Sequence, residues 1–351
     1  MKNFNLKTYK YLGAIHIHTK YSDGTGDINT ITKAAKKNGL SWVIITDHEN
    51  FDVTEGIING IYVIKGEEIS PQTHDHYIAL GINSCIPSTS DVSENIKAVR
   101  ENGGFGFAAH PDESITRKNS YKPIRWTDKN VNPDGIEIWN WFSQWADNLN
   151  SDNIFSLIYA YLFRNKLIKT PDKETLQWWD KLNNESVRII PAIGGIDAHA
   201  LKIKKYIVPV TIFPYNFMLG TIVNEITLQS PLDTNFEKAK QQILNAVKYG
   251  NNIIINRTVY KHIPQIYITN KDNTIESGGN IKFDSDTYFH VKCKKKSKIK
   301  ILRNGIIIKE TCSKDLILKL GQCGKYRAEI EINGKGFVYS NPLILTQEDM
   351  I

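Results

Sequence analysis

Residues 15–24 read IHIHTKYSDG, and no other stretch constrains the chain so tightly. Two histidines stand one residue apart at the end of a short apolar run, and Asp23 follows on the next polar segment. In an extended strand alternate side chains leave from the same face, so His16 and His18 are expected to project together. An imidazole pair presented this way, with a carboxylate on the following loop, suits a divalent ion of the zinc, manganese or iron type. Taken alone, the pair is equally compatible with two solvated histidines. The placement of the other histidines decides between these readings.

The first two-thirds of the chain alternates strand and helix signals. Residues 30–38 carry Ile31, Ala34 and Ala35 on one helical face and stop at Gly39. Residues 42–46 (WVIIT) form a continuous apolar run, as expected for a strand buried on both sides. Residues 61–65 and 77–81 read as further strands with too little chain between them for a helix. A helix over 93–102 and strands over 105–109 and 135–139 follow. Residues 152–185 are helical and aromatic, with Thr170 as N-cap and Pro171 as first helical residue before Trp178 and Trp179. A strand over 189–193, an amphipathic helix over 236–249 and a strand over 252–256 complete this part. Seven or eight mostly parallel strands with intervening helices predict an α/β barrel.

After about residue 257 the pattern changes to short strands separated by turn signals: 265–269, 288–293, 298–302, 306–309, 316–320, 326–332 and 336–339. Asn304-Gly305 and Asn333-Gly334 are tight hairpin turns. The expected architecture is therefore α/β over residues 1–257, followed by a small antiparallel β-sandwich over 258–351. A length of 351 residues also favours two domains.

The net charge is +7, and most of the excess falls after His262, largely in KCKKKSKIK at residues 292–300. Lysines alternating with Cys293, Ile299 and Ile301 read as the wet faces of strands, so nucleic acid is not among the expected partners. The four cysteines form no C-x-x-C pair, which excludes a cysteine zinc framework. The most apolar window, 207–223, is interrupted by Pro209, Pro214 and Asn216, which argues against a membrane helix. MKNFNLKTYK at the start lacks a signal-peptide core, and a cytoplasmic location is expected.

The chemistry-bearing residues fall where strands of the predicted barrel end. Asp47 and His48 follow WVIIT, Glu67 and Glu68 lie in GEEIS, and His74 and His76 flank a strand in THDHYIALG. His110 follows FGFAA, and Asp197 with His199 lies in GGIDAHA. The C-terminal rim of a barrel is where loops converge over a rigid core. Seven of the nine histidines sit on that rim, with only His262 and His290 elsewhere.

HIHTKYSDG, TDH, GEE, the histidine before ALG, AHP and DAH, in that order, resemble the PHP (polymerase and histidinol phosphatase) domain over about residues 10–255. The tail, with ILRNG, KYRAEIEI and YSNPL, resembles the immunoglobulin-like domain attached to many such metallohydrolases. The resemblance implies a distorted (β/α)7 barrel holding two or three divalent ions (Zn, Mn or Fe). Carried over, His16, His18 and Asp197 hold the first ion. Glu68 bridges it to a second, held also by His76 and His110. Asp23, His48 and His199 hold the third, with Asp23 standing where many relatives have a histidine. The family pattern selects Glu68 over Glu67 and His76 over His74.

Clustered divalent ions make hydroxide available near neutral pH and offset the charge that builds on a phosphate. Asp197 is a candidate proton acceptor besides being a ligand, and Asp47 or Asp75 are candidates to orient ligand imidazoles. Trp139 and Trp141 are candidate pocket walls or simply core, and Lys20, Arg117 and Lys118 candidate anion clamps. The polar stretch 112–132 reads as a loop over the site. The expected function is metal-dependent hydrolysis of a small phosphorylated metabolite or nucleotide. The alternatives are a carboxylic or carbamate ester hydrolase using the same ions, a binding protein acting through the β-sandwich, and a nuclease. The last needs a basic groove on the barrel, which the charge distribution does not supply.

Overall fold

The computed structural model describes residues 7–71, 74–113, 124–148, 154–203 and 210–347. The fold is mixed α/β, built on one extensive sheet system in which the first strand is central. Tyr9–Ile17 pairs in parallel with Trp42–Ile45 and with Ala192–Ala198, and antiparallel with Ile222–Leu228. From Trp42–Ile45 the pairing continues in parallel to Ile61–Lys65. From Ala192–Ala198 it continues in parallel to Gly135–Asn140 and then to Phe105–Ala108. Tyr77–Leu80 lies between Phe105–Ala108 and Glu67–Ile69 and runs against both.

That reversed strand corrects the mostly parallel order expected from the sequence. Only residues 70–76 separate Glu67–Ile69 from Tyr77–Leu80, whereas a parallel crossover needs a dozen residues or more. Asn252–Asn256 is also antiparallel to its neighbour Ile222–Leu228, and the sheet system as a whole is largely antiparallel. Two boundaries shift as well. The strand expected at 189–193 is Ala192–Ala198, and Ile222–Leu228 was hidden at the end of the proline-interrupted apolar window.

Helices cover the sheet with their apolar faces inward. Ile28–Lys37 is capped by Asp27 and buries Ile31, Ala34 and Ala35. Val92–Glu101 is capped by Asp91, and Phe236–Lys248 by Asn235. The cap of Lys173–Glu185 is Asp172, not Thr170, because its carboxylate accepts from the backbone N–H groups of both Glu174 and Thr175. Trp178, Trp179 and Leu182 form the buried face of that helix.

Beyond residue 264 the described strands pair antiparallel, except that Asn280–Lys282 runs parallel to Leu343–Thr346. The two short strands expected at 288–302 are one, Tyr288–Arg303, with a break in register between Lys292 and Ser297. Its partner Ile306–Lys319 likewise replaces two expected strands. Both Asn-Gly turns have two consecutive left-handed residues: φ is 50° and 77° at Asn304-Gly305, and 53° and 73° at Asn333-Gly334.

This C-terminal part is joined to the first by main-chain hydrogen bonding, since Asn252–Asn256 pairs with Lys335–Ser340. Asn341, fully buried, accepts from Ala192 N–H (2.6 Å) and donates to the carbonyls of Ala192 (2.9 Å) and Asn252 (3.1 Å). Buried Arg327 forms a two-pronged pair with Asp180, at 2.8 and 2.7 Å, and reaches Glu329 at 2.6 Å. Among the described residues no helix is long and apolar enough to cross a membrane.

Candidate metal centre

Glu68 is the hub of the polar cluster at one end of the sheet. Its Oε1 lies 2.9 Å from His76 Nδ1 and 3.0 Å from His110 Nε2. Its Oε2 lies 3.1 Å from His16 Nε2, 3.2 Å from His18 Nε2 and 3.3 Å from His48 Nδ1. Strand alternation sends the neighbouring Glu67 the other way, where it accepts from Ile86 N–H (2.8 Å) and Cys85 Sγ (3.2 Å). His74 is partly exposed and meets Asp75 at 2.5 Å instead of entering the cluster.

His16 and His18 do converge, with ring centroids 5.2 Å apart, but not by regular alternation. The register of the first strand slips between Ile15 and Ile17, and His16 has φ 68°. His18 lies one residue past the strand, its N–H donating to Ala198 O (3.0 Å) and its carbonyl accepting from Tyr215 OH (2.7 Å). Left-handed backbone recurs at His110 (φ 26°) and Asp197 (φ 51°). Such conformations cost about 1–3 kcal/mol each and cluster where function demands a particular side-chain aim.

Asp197 Oδ1 lies 3.2 Å from His18 Nε2, 3.4 Å from His199 Nδ1 and 3.6 Å from His16 Nε2. His199 presents Nε2 to Asp23 Oδ1 at 3.1 Å, with Nδ1 3.0 Å from the Asp197 carbonyl. Asp23 Oδ1 is 3.7 Å from both His18 Nδ1 and His48 Nε2. His48 Nδ1 meets Ser70 Oγ at 2.5 Å, which leaves Nε2 free to face that group.

Among the described residues, four sets of donor atoms therefore lie close enough together to surround an ion: His16, His18 and Glu68; His16, His110 and Asp197; Glu68, His76 and His110; and His18, Asp23, His48 and His199. The structure brings all nine residues singled out in the sequence into these sets. The donor chemistry fits divalent transition ions, because imidazole nitrogens and carboxylate oxygens are their usual protein ligands. A second observation agrees. Nδ1 of His18 and Nδ1 of His110 are buried without a hydrogen-bond partner, a costly arrangement unless something else meets them.

The electrostatics follow from this crowding. Burial alone would lower the pKa of His18 and His110. Asp197 and Glu68 outweigh it for His18, raising it to about 9, and Glu68 with Glu113 raises His110 to about 10. Burial dominates at His48, which falls to about 4. For Glu68 burial pushes upward, but the surrounding imidazoles, His16 and His48 foremost, hold it well below the usual carboxylate range. In metal-free protein, protons thus compete for the same nitrogens that would hold an ion.

Other expected participants are placed elsewhere. Asp47 accepts from Thr19 N–H (2.6 Å), Thr19 Oγ1 (2.7 Å) and Ser22 Oγ (2.6 Å), pinning the turn before Asp23 rather than an imidazole. Asp75 accepts from Thr127 N–H and Oγ1 and so ties the 124–127 segment beneath His76, whose carbonyl also accepts from Trp126 Nε1 (2.8 Å). Trp139 and Trp141 are buried in the core. One aromatic ring beside the cluster is Phe142, whose centroid is 6.0 Å from that of His199. Lys20 is exposed, its Nζ 5.8 Å from the Tyr21 ring centroid. Arg117, Lys118 and much of the expected loop lie outside the described residues.

Two acids were not singled out from sequence. Glu137 Oε1 lies 2.8 Å from His16 Nδ1, and Glu113 Oε2 lies 3.6 Å from His110 Nδ1 while accepting from Ser143 Oγ (2.5 Å). The signal for Glu137 was present in GIEIWN: a charged residue inside an otherwise apolar strand must find a buried partner.

With this geometry in view, residues 14–125 match the family model of the PHP domain. The chain is 29% identical over 184 residues to the uncharacterised protein MJ1587 of Methanocaldococcus jannaschii, a match spanning 47% of this chain and 96% of that one. Among solved structures it is similar to a two-domain protein from Bacteroides vulgatus that contains a predicted PHP-like metal-dependent phosphoesterase. That likeness covers 96% of each chain, at 14% identity and a TM-score of 0.49. It is also similar to an amidohydrolase from Chromobacterium violaceum over 58% of this chain and 92% of that one, at 12% identity and a TM-score of 0.33.

Proposed function

We propose that this chain is a metal-dependent hydrolase, a phosphoesterase acting on a small phosphorylated molecule. Its ligands are His16, His18, Asp23, His48, Glu68, His76, His110, Asp197 and His199. The observation that carries the reading is the position of Glu68, one inaccessible carboxylate within 3.3 Å of five imidazoles. The match of residues 14–125 to the PHP domain supports it. When bound, two or three divalent ions lower the pKa of a coordinated water and stabilise charge on a phosphoryl group.

The chain's own residues do the rest. Glu68 belongs to two of the donor sets and would serve as a ligand in both. Asp197, which belongs to one set and faces His18 and His199, would be the carboxylate placed to take up a proton released by water at the centre. Residues 258–351 form a second unit that braces the first through the Lys335–Ser340 pairing and the Arg327–Asp180 contact. Phe142, with Trp145 stacked on it and Phe213 edge-on to both, favours one alternative: an apolar wall next to His199 suits a carboxylic ester.

A panel of phosphomonoesters, phosphodiesters and carboxylic esters, tested with Mn²⁺- or Zn²⁺-loaded protein, separates the readings. Release of phosphate or cleavage of a phosphodiester by the wild type but not by Glu68→Gln is expected. Cleavage of carboxylic esters alone would replace the phosphoesterase reading with the alternative.

A further inference from the structure

Glu137 belongs to none of the four donor sets, yet it is fully buried and both its oxygens are engaged at the cluster. Oε1 lies 2.8 Å from His16 Nδ1, while Oε2 accepts from the main-chain N–H of His110 at 2.7 Å and from Asn140 Nδ2 at 3.0 Å. We infer that Glu137 is the positioning residue of the metal centre, one carboxylate fixing ligands that belong to three of the four donor sets. The inference rests on the metal-centre reading above.

A carboxylate acceptor at Nδ1 places the proton of His16 there, so that the Nε2 lone pair faces Glu68 and Asp197; such a partner also raises the basicity of the ligand nitrogen. The same carboxylate captures the N–H of His110, at a residue whose left-handed backbone (φ 26°) needs compensation from its surroundings. The chain also keeps the space clear. A Cβ on Gly195 would lie 1.6 Å from Glu137 Oε1 and 3.0 Å from His16 Cβ, so only glycine lets the carboxylate stand between the two strands. Asn140 holds Oε2 and at the same time caps Trp141–Asp147, which links the carboxylate to the helix carrying Phe142.

The test is Zn²⁺ affinity of the full-length chain, measured by competition with a chromophoric chelator, for wild type, Glu137→Gln and Glu225→Gln. Glutamine is isosteric and still accepts from one N–H, but it cannot accept at both ends. Glu225 is a buried strand carboxylate paired with Lys10 away from the cluster, so its variant reports the general cost of neutralising such a group. The expected result is a loss of about 10- to 100-fold in Glu137→Gln, with Glu225→Gln within about twofold of wild type. The Co²⁺-loaded Glu137→Gln protein should also show a shifted visible spectrum. Equal affinity and an unchanged spectrum, or an equal loss in Glu225→Gln, would overturn the positioning role and leave the hydrolase reading standing. Absence of Zn²⁺ binding by the wild type would overturn both.

Discussion

Glu68 Oε2 stands 3.1 Å from His16 Nε2, and neither side chain has any surface exposed to solvent. A carboxylate held among five buried or half-buried imidazoles is poorly explained as a stabilising ion-pair network, because desolvation offsets much of such a network's gain. It is well explained as half of a coordination shell. Replacing Glu68 by glutamine is expected to leave the fold intact and remove at least one bound ion. Phosphoester turnover should fall by at least about a hundredfold, the upper end of what losing a mere supporting group costs. Metal content by mass spectrometry beside a turnover assay checks this; unchanged metal content would refute it.

Removing metal should destabilise the protein. Any ligand that binds only the folded state adds RT ln(1 + [L]/Kd), about 2.7 kcal/mol at a hundred times Kd. For a chain of this size that corresponds to a few degrees in Tm. Differential scanning fluorimetry with and without excess chelator should show the drop, and restored divalent ion should reverse it. A Tm indifferent to chelator counts against ions in the cluster.

Gly195→Ala tests the close approach of Glu137 directly. The new Cβ, 1.6 Å from Oε1, has no room, so the carboxylate must leave His16 or the strands must part. A loss of about 1–3 kcal/mol or more is expected from overpacking, accompanied by reduced metal content. Urea denaturation and metal analysis would read both, and a variant like wild type in each would show that the strands yield easily.

The contact between the two parts of the chain is testable away from the metals. Arg327 is buried against Trp179, its guanidinium 4.9 Å from the ring centroid and doubly bonded to Asp180. Asp180→Ala leaves that cation with Glu329 alone and should cost about 3 kcal/mol, the lower end for breaking a buried pair. The double variant with Arg327→Met should recover little of this, since buried Glu329, 2.6 Å from the guanidinium, then loses its own partner. A cost below about 1 kcal/mol for Asp180→Ala would show the pair to be peripheral.

Much of the centre was legible in the sequence because its ligands come in short local motifs at strand ends. HIHTKYSDG holds three of the ligands and DAH two within a few positions, TDH and GEE hold one each, and strand ends bring them to one rim. The geometry behind them was less legible. His16 and His18 meet through a register slip and a left-handed residue rather than through alternation, and no spacing rule reports that. Glu137 was hidden because its strand reads as apolar bulk, and its partner lies 121 residues away in sequence. The reversed strand Tyr77–Leu80 follows from the brevity of residues 70–76, a signal that was visible but was not carried through to strand direction. Tyr288–Arg303 was split in two because its central lysines mask a continuous strand.

The most direct test of the central claim is the stoichiometry of tightly bound divalent metal. The chain would be equilibrated with Mn²⁺ or Zn²⁺, freed of loose ions and analysed by plasma mass spectrometry, alongside His16→Ala. The account predicts two or three ions per chain in the wild type and at least one fewer in the variant. Less than one ion per chain in the wild type, or identical content in the two proteins, would contradict it.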